Sequence, residues 1–263
     1  MDSPDVKTLV RARYGSIAAT DPAECPATAS SCCAPTTPAD AADKARAMGY
    51  SDTDLAAVPE GANLGLGCGN PRAIAALRPG ETVIDLGSGA GFDCFLAAQA
   101  VGPTGQVIGI DMTHEMLAKA RDNATRIGAA NVEFRLGELE HLPVADNVAD
   151  VILSNCVINL VPDQQQVFRE ALRVLKPGGR LAISDVVNTG PLAADLRGDA
   201  DLICGCVAGA APVEQLQAWL AAVGFERINI AVKPESRELI ASWAPGRGVE
   251  DCVASAFIEA RKP

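Results

Sequence analysis

One stretch of the chain limits its possible folds more than any other: V-I-D-L-G-S-G-A-G-F-D, Val83 to Asp93. Apolar residues and Asp85 run straight into Gly87, Gly89 and Gly91. An unbroken apolar run that stops at glycines predicts a buried parallel strand ending in a tight turn. A helix is expected from Phe92 to Ala100, followed by a second parallel strand at V-I-G-I-D-M, Val107 to Met112, with Asp111 at its carboxyl end. Strand, glycine turn, helix, strand and acid make the layout of a nucleotide-binding βαβ unit. The glycines let the backbone pass close to a ligand. Asp111 is placed to accept hydrogen bonds from two ribose hydroxyls.

The spacing is G-x-G-x-G rather than the G-x-G-x-x-G of dinucleotide folds, and Asp85 stands two residues before the first glycine. D-L-G-S-G-A-G resembles motif I of class I S-adenosyl-L-methionine-dependent methyltransferases. The resemblance implies an acid near the methionine amino group and the sulfonium. It implies cofactor contacts from Asp85, Gly87, Ser88, Gly89, Gly91, Asp111 and Met112, with Gly137, Glu138 and Leu139 near the adenine and Asn155 at the end of the fourth strand.

The rest of the chain fits an α/β fold with a doubly wound, seven-stranded, mostly parallel sheet, flanked by a mobile N-terminal extension and an inserted cap. Residues 1–60 read as an N-terminal helix ending near Gly15 and a cysteine-containing linker, 61–187 as the cofactor-binding core, and 188–263 as a cap plus the last strands. Helices are expected from Asp40 to Met48, from Arg72 to Leu77, from Thr113 to Ile127, from Asp163 to Leu175 and from Pro212 to Val223. Ser51 is expected to N-cap a further short helix. Further strands are expected at Asn131–Leu136, Asp150–Ser154, Leu181–Val186, Phe225–Val232 and Ser255–Lys262, with K-P-G-G-R, Lys176 to Arg180, as a turn. G-A-N-L-G-L-G-C-G-N-P, Gly61 to Pro71, holds too many glycines for a strand and reads as a lid over the cleft.

Composition removes several classes of function. The net charge is −11 over 263 residues and basic runs are absent, so nucleic acid and anionic membranes are poor partners. No stretch reaches the roughly 20 apolar residues of a membrane span. The N-terminus lacks the apolar core of an export signal, and a cytoplasmic location is expected. The nine cysteines therefore read as thiols rather than as disulfides.

Transfer to oxygen or nitrogen commonly needs a base to remove a proton. His114 and His141 are the only histidines, and both read as structural or surface residues. Thiols are what the cleft offers. Cys156 ends the fourth strand, Cys206 lies in the small-residue run C-G-C-V-A-G-A, and Cys68 sits in the glycine lid. Soft thiolates select soft acceptors. A trivalent metalloid held by two or three of them keeps a lone pair, which attacks a methyl group without any base.

R-Y-G-S-I-A with the Cys32-Cys33 pair, G-L-G-C-G-N-P, D-L-G-S-G-A-G-F-D, G-I-D-M-T-H-E-M-L, S-N-C-V-I-N-L-V-P-D, R-V-L-K-P-G-G-R and G-C-V-A-G-A occur in this order. Together they resemble the arsenite methyltransferase family over nearly the whole chain. The resemblance implies that Cys156 and Cys206 bind trivalent arsenic. Cys68 and one cysteine of the Cys32-Cys33 pair would act as third ligand and as thiol–disulfide partners. The cofactor would be S-adenosyl-L-methionine, the substrate arsenite or its thiol conjugates, and the reductant thioredoxin or glutathione. Cys25, Cys94, Cys204 and Cys252 match no family ligand position. Two other readings are a carbon methyltransferase of the sterol or quinone type and a thiol-rich metalloid-binding protein without activity. The first leaves the three thiols idle, and the intact glycine and acid set argues against the second.

Overall fold

Three central strands are buried apolar runs that carry Asp85, Asp111 and Asn155 at or next to their carboxyl ends. A computed structural model describes residues 3–19 and 37–263. The helices are α1 (Ser3–Ala19), α2 (Pro38–Ala47), α3 (Asp52–Ala56), α4 (Arg72–Ala75), α5 (Phe92–Val101), α6 (His114–Ile127), α7 (Gln164–Val174), α8 (Ala194–Arg197), α9 (Ala200–Cys204), α10 (Val213–Val223) and α11 (Arg237–Trp243). The strands are β1 (Thr82–Leu86), β2 (Gln106–Asp111), β3 (Val132–Leu136), β4 (Ala149–Asn155), β5 (Leu175–Asn188), β6 (Glu226–Lys233) and β7 (Val253–Arg261). They form one sheet in the order β3-β2-β1-β4-β5-β7-β6. β1 to β5 pair in parallel, and β7 runs antiparallel between β5 and β6.

Alternation along the strands builds a core on each face. Ile84, Leu86, Ile108 and Ile110 pack with Phe168 and Leu220 on one face. Val83, Val107, Val151 and Leu153 pack with Phe95 and Leu117 on the other. A third cluster lies beyond the carboxyl ends of the strands, where Cys68, Cys156, Cys204 and Cys206 pack with Val10, Leu160 and Trp243.

Three local expectations are corrected. Gly15 does not end the first helix, which continues to Ala19 because Ile17 and Ala18 are buried against Met116 of α6. The low helix propensity of glycine is overridden by that packing. Lys176 to Gly179 is a bulge inside one long strand rather than a separate turn. Three residues of β4, Ala149 to Val151, face six of β5, Leu175 to Arg180, and Gly178 takes a φ of +78°. The helix opened by Pro71 is a single turn, because Ala76 adopts a left-handed conformation. The Ser51 cap is present as a reciprocal capping box with Asp54. No described helix is long and apolar enough to cross a membrane.

Candidate functional site

One cavity of about 1240 Å³, counting its open mouth, joins the glycine turn to the thiols. Asp85, Gly87, Ser88, Gly89, Asp111, Met112, Gly137, Leu139 and Asn155 line it, as do Cys156 and Cys206.

The turn is held open by its own backbone. The N–H groups of Gly87 and Ser88 both donate to the carbonyl of Ile110, at 2.8 and 3.0 Å, which ties the turn to β2. Gly87 has a φ of +71°, and a Cβ there would lie 2.5 Å from Val157 Cγ2. Only glycine satisfies both the conformation and the close approach of the chain after β4. Asp111 accepts from the N–H of Gly89 at 3.0 Å and of Thr113 at 2.8 Å. The Thr113 side chain and the Met112 backbone hydrogen-bond to the same carboxylate. Burial pushes the Asp111 carboxyl up, and the surrounding N–H groups oppose that rise.

Three further observations fit S-adenosyl-L-methionine to this end of the cavity. Asp85 is 3% exposed, and burial together with the charge of Asp93 holds its pKa well above the usual carboxylate range. Asp93 is raised by burial as well, although Tyr50 donates to it at 2.7 Å. Two desolvated acids side by side favour a cationic ligand, and the cofactor brings an ammonium and a sulfonium. The buried hydroxyl of Ser88, in the same cradle, has no hydrogen-bond partner among the described residues.

Two of the expected cofactor residues lie outside the cavity lining. Gly91 caps α5 with a φ of +94°, where a Cβ would strike Phe95 and Phe134, so its place is explained by packing. Glu138 turns away to α1, pairing with Lys7 at 2.7 Å and Arg11 at 3.2 Å. Lys7 also pairs with Glu140 at 2.8 Å and lines the cavity, so α1 is fastened across it. Farther along α1, Tyr14 donates to the carbonyl of Cys204 at 3.0 Å.

At the other end the thiols converge from three segments. The described cysteines are all thiols. Cys156 follows β4 directly, and its N–H donates to Ser184 O of β5 at 2.8 Å. Cys206 follows α9, and its thiol donates to the carbonyl of Cys156 at 2.8 Å. The thiols of Cys206 and Cys68 both push the Cys156 pKa well up, with burial adding to the effect. Cys68 is reached by the glycine segment, whose position Asn155 fixes. Asn155 accepts from the Cys68 N–H at 3.1 Å and donates to Gly69 O at 2.8 Å and to Tyr50 at 3.1 Å. Cys68 is 3% exposed and does not line the cavity. It lies behind Cys156, where the Cys68 and Cys156 sulfurs and an Asp185 oxygen fall within 4.8 Å of one another.

The sequence reading missed Asp185 and Asn159. Asp185 is buried near the carboxyl end of β5, and burial raises it to about 7 against the N–H groups of Val186 and Ile158. The strand-end argument applied to Asp85 and Asp111 would have found it. His114 and His141 are both exposed, and among the described residues no histidine lines the cavity. Cys25, Cys32 and Cys33 lie outside the described residues.

Comparison with known proteins places this arrangement. A family model for a methyltransferase domain matches residues 77–224. The arsenite methyltransferase of Halobacterium salinarum is 52% identical over the whole of this chain, which spans 68% of that relative. Human arsenite methyltransferase is 43% identical over 54% of the chain and 40% of its own length. Among solved structures, the arsenic(III) S-adenosylmethionine methyltransferase of Chlamydomonas reinhardtii aligns with a TM-score of 0.60 and 30% identity, covering 84% of this chain and 73% of that one. A methyltransferase domain over most of the chain and 52% identity to such a relative over the whole of this chain show that it belongs to the arsenite methyltransferase family.

Proposed function

We propose that this S-adenosyl-L-methionine-dependent methyltransferase acts on trivalent arsenic held between the sulfurs of Cys156 and Cys206. The observation that carries the reading is that both cysteines line the same cavity as Asp85 and Asp111. When bound, the cofactor supplies an electrophilic methyl group on a sulfonium.

Arsenite enters as a neutral hydroxide. The Cys156 thiol, with its raised pKa, is protonated at neutral pH. Each arsenic–oxygen bond exchanged for an arsenic–sulfur bond releases the thiol proton with the departing hydroxyl, as water. Capture thus leaves no net charge in a buried site and requires no general base. Two thiolates fix the arsenic while its lone pair faces the cavity. Leu160, Val10 and Trp243 pack around the thiols and keep water away.

Accepting a methyl group raises arsenic to the pentavalent state, and two electrons return it to the trivalent one. Cys68, with one cysteine of the Cys32-Cys33 pair, supplies them by forming a disulfide. Thioredoxin or glutathione then reduces that disulfide. The place of Cys68, behind Cys156 and off the cavity wall, suits a third ligand and electron donor rather than the primary point of capture.

The test uses two acceptors. The wild-type chain should form S-adenosylhomocysteine only when arsenite or a methylarsenical is present, with methylated arsenicals detected by mass analysis. Cys68→Ser should impair turnover of inorganic arsenite and spare an acceptor that already carries one methyl group. Equal loss on both acceptors would remove Cys68 from this division of labour. Turnover that ignores arsenic and proceeds on an organic acceptor would refute the reading as a whole.

A further inference from the structure

Cys156 and Cys206 share a backbone peculiarity. Their φ angles are +57° and +63°, in the left-handed region. For a residue with a side chain that conformation is strained, and it persists only where the surroundings impose it. The two residues belong to different segments, fifty positions apart, yet one side chain bonds both the backbone of Cys206 and the acid that pins the turn after Cys156. Asn159 is 6% exposed, and its Nδ2 faces three acceptors: Asp185 Oδ1 at 3.0 Å, Val186 O at 2.6 Å and Cys206 O at 3.2 Å. The turn from Cys156 to Asn159 is pinned in its middle, because the Ile158 N–H donates to Asp185 Oδ2 at 3.0 Å. On its other side, a Cβ at Gly209 would collide with the carbonyl of Asn159, so the segment beyond Cys206 lies directly on this turn. Gln164 holds that segment in place by donating to Gly209 O at 2.7 Å.

Building on the arsenic site above, we propose that Asn159 is the positioning residue that fixes the Cys156–Cys206 pair, locking both cysteines in their left-handed backbone so that their sulfurs are set for one arsenic atom before it arrives. Packing alone would not require an amide here, since an apolar side chain fills such a space without burying donors. The amide is spent on the backbone of Cys206 and on the carboxylate that anchors the Cys156 turn. The two cysteines are thereby made one rigid unit. A preorganised pair binds a two-point ligand more tightly than two independent thiols do, because the ordering cost is met in folding. Asn159 touches neither arsenic nor cofactor, so its effect must pass through the cysteines.

Two variants test this in the full-length chain. Asn159→Asp keeps the shape, removes both donors and sets a second carboxylate beside Asp185. Asn159→Ala removes the donors without adding charge. The probe is phenylarsine oxide, a trivalent arsenical with two exchangeable positions, titrated in competition with a small dithiol. S-adenosylhomocysteine binding, measured by calorimetry, reports the intact fold. In the variant that retains S-adenosylhomocysteine affinity within about threefold, phenylarsine oxide affinity should fall by roughly tenfold or more. Turnover of arsenite should fall with the KM for S-adenosyl-L-methionine unchanged, a split that a general loss of stability would not produce. A variant that binds both ligands as the wild type does overturns the proposal. So does loss of S-adenosylhomocysteine binding in both variants, which would make Asn159 a residue of the fold at large. A wild-type chain that fails to capture phenylarsine oxide would overturn the arsenic site itself.

Discussion

Replacing Cys156 or Cys206 with serine is expected to abolish methylation of arsenite and to leave S-adenosyl-L-methionine binding unchanged. Methyl transfer needs the arsenic atom held within reach of the sulfonium, and such positioning supplies about 7–11 kcal/mol of a barrier. Serine preserves the shape but presents a hard oxygen that stays protonated, so the soft ligand is lost while the fold is kept. Neither cysteine contributes to the cradle formed by Asp85, the glycine turn and Asp111, so cofactor affinity should not move. Arsenical products by mass analysis and cofactor binding by calorimetry read the two halves separately. The matching controls are Cys25, Cys94, Cys204 and Cys252, whose serine variants should each keep turnover within a few-fold. Cys94 is the most instructive, because its thiol donates to Asp85 at 3.1 Å and a serine hydroxyl makes the same bond. Near-wild-type methylation by the Cys156 or Cys206 variant would show that the proposed site is wrong.

The second large effect belongs to Asp111. Asp111→Ala should weaken S-adenosyl-L-methionine binding by more than about tenfold, since hydrogen bonds to a charged group contribute about 1.5–3 kcal/mol. Two losses combine there. The ribose hydroxyls lose their acceptor, and the N–H groups of Gly89 and Thr113, which the carboxylate now satisfies, are left without it. Asp85→Ala should weaken binding too, by removing one of the two buried acids that favour the cationic methionine end. Unchanged affinity in the Asp111 variant by titration calorimetry would take that residue out of the cofactor site.

The sequence showed β1, the glycine turn and β2 because each is a local pattern: an apolar run, then residues with few conformational alternatives. Around them α5, α6, α7, α10 and the strands β3 to β7 were legible for the same reason, whereas the short helices α8, α9 and α11 were not. What the sequence could not show depends on contacts between distant residues. Lys7 meets Glu138 across 131 positions, so a residue expected near the adenine turns out to fasten the first helix. Gly15 looked like a helix end until the burial of Ile17 and Ala18 against α6 carried the helix past it. The bulge at Lys176 to Gly179 arises from pairing on β4, which no local signal reveals. The candidate site divides in the same way. Its thiols could be named by resemblance. The role of Asn159 rests on acceptors 26, 27 and 47 residues away, and the second asparagine of S-N-C-V-I-N-L carries no mark of it.

In the proposed reaction arsenic sits on the sulfurs of Cys156 and Cys206. X-ray absorption at the arsenic edge, on the full-length chain loaded with one equivalent of arsenite and S-adenosylhomocysteine, tests it most directly. The arsenic shell is expected to be dominated by sulfur in the wild type, with sulfur replaced by oxygen in both Cys156→Ser and Cys206→Ser. An unchanged sulfur shell in either variant would contradict it.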